Sequence, residues 1–173
     1  MRTLRSGCIF SLLSALTCIS ATQDAHATPP LRDQIQIDGR DGQFEEEGKW
    51  WVGKPKNERL RALASAQQCT AIGGPVGRYR LVEDQIELVD LYVCGGPVPL
   101  REIYPEFQAP MSAKWLTGTF FAKFGFCVDT EGGFGEFQIV EELTVVSGTV
   151  VRIEKHPPIK YDRPRYLCGK VDQ

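Results

Sequence analysis

The stretch EFQIVEELTVVSG, residues 136–148, decides the fold class, because it alternates like a β-strand and closes on a two-residue turn. Counting by twos puts Phe137, Ile139, Leu143 and Val145 on one face, and the same count puts Glu141 there. A carboxylate in an apolar stripe is a catalytic acid, a ligand contact, half of an ion pair or the mark of a wet face. Ser147-Gly148 joins this strand to TVVRIEKH, residues 149–156, as a tight hairpin. In that register Val146 faces Thr149, Leu143 faces Arg152 and Glu154 stands opposite Glu141. Arg152 then lies diagonally from Glu141, so a cross-strand ion pair is the expected partner for the carboxylate.

Working outward, AKWLTGTFFAKFGFCV (113–128) is bulky on both faces, with Trp115, Thr117, Thr119 and Phe121 alternating with Leu116, Phe120 and Phe124. GRYRLVEDQIELVDLYVC (77–94) reads as two strands around Glu83-Asp84. Strict alternation puts Ile86, Leu88, Asp90 and Tyr92 on one face, and Val89, Leu91 and Val93 on the other. GGPVPLREIYPEFQAP (95–110) breaks the sheet, with Pro99 opening a helical turn through Ile103 and Pro105 ending it. NERLRALASAQQC (57–69) is the helical candidate, capped by Asn57, with Leu60, Leu63 and Ala64 on one side. Strands at these intervals with glycine-rich turns predict a mainly β chain. The expected form is a single antiparallel meander over residues 61–173, curled into a small barrel or half-barrel with one or two short helices.

Residues 28–60 read as an extended N-terminal segment, polar and rich in glycine and proline, with turn chemistry at Gly39–Gly42 inside DQIQIDGRDGQF (33–44). Adjacent Trp50 and Trp51 point to opposite faces of an extended chain, as a latch onto the body or as a stacking platform for sugar or peptide. Ahead of this segment, Arg2 and Arg5 precede an apolar run from Cys8 to Ile19, and Ala25-His26-Ala27 supplies a small-x-small cleavage pattern. Residues 1–27 therefore read as a secretory signal, with an uncleaved N-terminal anchor and lipidation at Cys18 as competing readings and no later run able to span a bilayer. The remaining 146 residues are the size of one domain and carry 18 basic against 21 acidic side chains. That balance gives no basic footprint for nucleic acid.

Four cysteines outlast the signal: Cys69, Cys94, Cys127 and Cys168. An even set in an exported chain predicts two disulfides, each worth on the order of 3 to 4 kcal/mol for loops this long. The gaps of 25, 33 and 41 positions are too wide for a zinc site, so no metal or cofactor is expected. Cys94 with Cys127 and Cys69 with Cys168 is the pairing that pins the proline-rich tail to the body.

The chemistry-bearing residues are few. His156 is the one histidine after the signal, beside Pro157-Pro158, and there is no Gly-x-Ser-x-Gly elbow. TEGGFGEF (130–137) lacks the lysine and the following helix of a phosphate loop. Asp90 and Glu141 are the candidates for a two-carboxylate glycan hydrolase. Trp51, Trp115, Arg101 and Tyr104 are the candidates for a binding surface, the last two in a loop able to enter a partner's cleft. Together these features predict a binding protein of the bacterial cell envelope, periplasmic or secreted, such as an inhibitor or immunity protein acting on a hydrolase or toxin. A barrel holding a small apolar ligand is the alternative, with the glycan hydrolase third.

Overall fold

The computed structural model describes residues 31–66, 75–94, 96–129, 135–156 and 166–168. Its strands are β1 (Gln34–Ile37), β2 (Arg40–Glu46), β3 (Val76–Val82), β4 (Gln85–Val93), β5 (Gly96–Val98), β6 (Met111–Ser112), β7 (Gly118–Asp129), β8 (Gly135–Val146), β9 (Thr149–His156) and β10 (Tyr166–Cys168). Helix α1 (Glu58–Ala66) follows β2, and α2 (Leu100–Ile103) lies between β5 and β6. The chain is mainly β, in one sheet that curls into a ring. Around the ring the order is β7, β2, β1, β3, β4, β9, β8 and back to β7.

Tight turns set this order. Asp38-Gly39 and Ser147-Gly148 have φ of 51° and 78°, and of 49° and 81°, the paired left-handed conformations that match strand twist. The first turn sits one residue ahead of the Gly39–Gly42 window, because Ile37 pairs directly with Arg40. Gly148 has a second reason to be glycine: a Cβ there would stand 2.8 Å from the backbone of Ala113. Its N–H donates to the Leu116 carbonyl and its own carbonyl accepts from Ile86, which ties the β8–β9 turn to β4. Beyond the pair Gln85–Thr149, β9 leaves β4, whose edge passes to β6 and then to β5.

The segment before residue 61 forms part of the ring. β1 and β2 fill the gap between β3 and β7, and β1 runs parallel to β3, so the sheet is mixed and departs from a simple meander. The reason is in DQIQI and QFEEE: Ile35, Ile37 and Phe44 alternate with polar neighbours and are buried in the common core. Phe44 packs edge-on to Tyr79 at 5.2 Å and stacks on Phe120 at 5.4 Å. Large side chains thus fill the interior of the ring.

Two bulges change which residues face that interior. Arg78 pairs with Asp90 but Tyr79 pairs with Leu88, leaving Val89 unopposed. The extra residue flips the later half of β4, so Leu91 joins Ile86 and Leu88 inside and Asp90 turns outward. A second bulge, at Val151, makes Thr144 face Arg152, Leu143 face Ile153 and Glu142 face Glu154.

Asp33, with no exposed surface, holds one end of the ring together. Its carboxylate accepts from the Val52 and Gly77 amides at 2.7 and 2.5 Å and from Lys54 Nζ at 2.7 Å, while its carbonyl accepts from the Phe44 amide. The segment Val52–Asn57 is laced across this end. Trp115 Nε1 donates to the Gly53 carbonyl, Tyr104 Oη to the Pro55 carbonyl, and Asn57 Nδ2 to the Ile103 carbonyl, each at 2.8 Å. Asn57 Oδ1 also caps α1 by accepting from the Leu60 amide. Replacing Asp33 by Ala strands the buried Lys54 ammonium and two amides, and is expected to cost about 3 to 5 kcal/mol. Urea denaturation measures it, and a loss below about 1 kcal/mol would show that water replaces the carboxylate freely.

Candidate functional site

A recess opens on the outer face of the sheet, with a volume of about 590 Å³. Alternation builds it. Ile35 and Ile37 turn inward and send Gln34 and Gln36 outward; Tyr79 turns inward and sends Arg78 and Arg80 outward. Gln43 and Asp41 of β2 and Lys123 of β7 complete the polar floor, and Val89, extruded by the β4 bulge, joins the wall. At one end stand Phe126 and Phe137, with ring centroids 5.1 Å apart and Phe126 47% exposed.

The charges here are unequally matched. Lys123 pairs with Glu45, Arg80 with Glu87 at 2.8 Å, and the Gln36 amide donates to Asp41 at 3.2 Å. Arg78 forms no ion pair among the described residues. Its guanidinium lies 4.9 Å over the Tyr92 ring, which steadies one face of the group, and Asp90 stands opposite it in the β3–β4 register.

The candidates read from the sequence are distributed elsewhere. Glu141, 1% exposed, is an ion-pair partner as its place in the stripe implies, but its partner is Arg40 at 2.9 Å. The bulge at Val151 moves Arg152 opposite Thr144, where it pairs with Glu154, and puts Lys155 opposite Glu141 at 3.7 Å. Arg40, at the first position of β2, also packs on the Phe124 ring at 4.5 Å. Asp90 faces outward, opposite Arg78 in the register, in a separate recess with Leu100, Arg101 and Phe107, whereas Glu141 is buried in the interior. The two carboxylates therefore do not share a site.

Trp115 and Tyr104 spend their polar atoms on the laced segment, and Tyr104 is buried. Burial, aided by the charge of Glu106, pushes the Tyr104 phenol up to about 12. Burial and then the charge of Asp33 raise Tyr79 as well, and its hydroxyl has no hydrogen-bond partner among the described residues. Trp51 is part-exposed, beside Leu60 and Arg61 in a separate recess of about 480 Å³. Arg101 is exposed near Phe107. Cys69 lies outside the described residues, and the strand that carries Cys168 pairs with β7.

No cluster among the described residues could hold a metal ion. Comparison of the chain with protein families, with curated proteins and with solved structures finds no match. The recess residues were missed in the sequence because their signal is plain alternation, QIQI and RYRL, which any solvent-facing strand shows. Only the fold brings four such strands and two phenylalanines together.

Glu141→Gln should destabilise the protein by about 3 kcal/mol by leaving Arg40 without a counter-charge. Replacing both, as Glu141→Leu with Arg40→Met, should recover much of that loss, since a packed apolar pair avoids the desolvation cost. A double-mutant cycle in urea reads the coupling; additive losses would mean that the two side chains do not act as a pair.

Proposed function

We propose that this chain is an exported, disulfide-braced binding protein of the bacterial cell envelope, which holds an envelope component on the outer face of its sheet. The outer recess carries the reading: amide, cationic and aromatic side chains converge there on about 590 Å³ of accessible space. The filled interior gives the apolar-ligand alternative no support, since Phe44, Tyr79, Phe120 and Phe124 occupy the space such a ligand would need. The separation of Asp90 from Glu141 likewise removes support from two-carboxylate hydrolysis. A second reading, an inhibitor that inserts the segment 96–112 into a partner's cleft, is favoured by Phe107, which is 50% exposed beside Arg101.

Export rests on the residues before 28, which lie outside the described ones, and disulfide bracing fits the same compartment. The register sets Cys168 directly opposite Cys127. Cross-strand neighbours sit at a Cα separation of roughly 4.5 to 5.5 Å, inside the range a disulfide spans. Cys94 follows β4 directly, three strands from β7 by the shorter way round the ring, which disfavours pairing Cys94 with Cys127. We therefore assign Cys127–Cys168, and by elimination Cys69–Cys94, in place of the pairing suggested by the tail alone.

Peptide mapping of the unreduced secreted protein should recover these two linkages; a Cys94–Cys127 peptide would refute the assignment. For binding, the tagged mature protein is used to capture components of envelope extracts. Arg78→Glu with Phe126→Ser should abolish capture, while Arg101→Glu with Phe107→Ser should leave it intact. The reverse pattern would move the site to the 96–112 segment, and capture of nothing by the wild type would sink the binding reading.

A further inference from the structure

The polar groups of the recess form two rows that run across the strands. Lys123 pairs with Gln43, Gln43 with Gln34, and Gln34 with Arg78, one residue from each of β7, β2, β1 and β3. Beside it run Asp41, Gln36 and Arg80, taken from β2, β1 and β3. Neighbouring groups in each row stand about 4.8 Å apart, the spacing of the strands. A ligand following a row would meet a new hydrogen-bonding side chain at each step.

The chemistry of the rows narrows the ligand. Three glutamines offer both donors and acceptors, which suits hydroxyl groups, themselves donors and acceptors at once. Phe126 and Phe137 give a ring surface at the end of the rows, suited to the apolar C–H face of a sugar. An extended peptide recruited by strand addition would need a sheet edge, and the strands beneath the recess have neighbours on both sides there. The charge is specific as well. Lys123 and Arg80 are held by Glu45 and Glu87, whereas Arg78, pre-stacked on Tyr92, forms no ion pair among the described residues, with Asp90 opposite it in the register as its nearest carboxylate across the strands.

We infer that the recess binds a carboxylate-bearing glycan chain, lying across the strands with an acidic sugar at Arg78 and a pyranose face on Phe126. This deepens the reading of the outer face as the binding surface and rests on it. A bidentate guanidinium–carboxylate pair supplies selectivity for acidic over neutral sugars, and the glutamine rows supply length dependence.

Calorimetric titration of the intact mature protein tests this with three probes: an alginate-derived hexauronate, maltohexaose and poly-L-glutamate. The hexauronate should bind, more tightly than a dimer of the same sugar, and at least tenfold more tightly than the other two. Arg78→Gln should weaken it about tenfold, the loss of one charge-assisted contact, and added salt should do the same to the wild type. Phe126→Ala should weaken it while thermal melting stays unchanged, which separates lost stacking from lost fold. Equal affinity for poly-L-glutamate would overturn the inference in favour of unspecific attraction of anions. Absence of glycan binding, with envelope capture still dependent on Arg78 and Phe126, would overturn the glycan and keep the surface. Absence of both would remove the surface too.

Discussion

A single buried carboxylate holds the closed end of this ring. Asp33 stands just before β1 and joins three pieces of chain distant in sequence: its own strand, the start of β3 through Gly77, and the segment after β2 through Val52 and Lys54. Each of those amides would otherwise be a buried donor without a partner, and Lys54 a buried charge. Once the segment is fixed, its carbonyls are placed for Trp115 and Tyr104, and its Asn57 donates to the Ile103 carbonyl and starts α1. The order of dependence runs from one carboxylate to the strands, then to the lacing, then to the helix. The aromatic residues in the lacing thus owe their placement to a charge, although they look in sequence like the binding residues of a surface.

The second internal carboxylate plays a different part. Glu141 and Arg40, 101 residues apart in sequence, meet from the two strands that flank β7, in a wall otherwise made of Phe124, Ala122 and Leu143. An apolar pair of like volume would serve stability as well or better. What an ion pair adds is a penalty on other registers: slipping β8 by one residue would send Glu141 outward and leave Arg40 against the Phe124 ring without a counter-charge. The nearby bulge at Val151 makes such a slip a real competitor, because one unopposed residue already offsets the two halves of β9. A buried pair that costs desolvation energy fits a place where register is weakly set by the turn alone.

Period-2 patterns and turn residues made the β class, the hairpins at Glu83-Asp84 and Ser147-Gly148, the Asn57 cap and the helical turn after Pro99 legible in the sequence. These are all local, decided within a few residues. What was not legible is non-local or depends on a single inserted residue. Counting by twos across β4 put Asp90 beside Ile86 and Leu88, and the extra Val89 reversed it. Counting back from Ser147 put Arg152 within reach of Glu141, and Val151 reversed that. The place of β1 and β2 between β3 and β7 had no local sign, since a polar, glycine-rich hairpin reads the same whether it hangs free or fills a sheet. The candidate site suffered most, because its residues share no spacing in the chain, only a register.

The β4 bulge and Gly125 together shape the recess on the outer face. The β4 bulge extrudes Val89 into the wall of the recess, and Gly125, at φ 66°, breaks the regular path of β7 between Lys123 and Phe126. A regular ring packed with aromatic side chains would show the solvent a smoothly convex face, with its polar residues spread and its phenylalanines inside. Here the irregularities make a concavity and bring an aromatic pair to its edge, at positions where a strand would otherwise repeat. Bulges weaken ladders locally, so a fold that keeps two of them and secures itself elsewhere, with Asp33 and the Glu141–Arg40 pair, has the arrangement expected where shape on the outside is worth more than regularity.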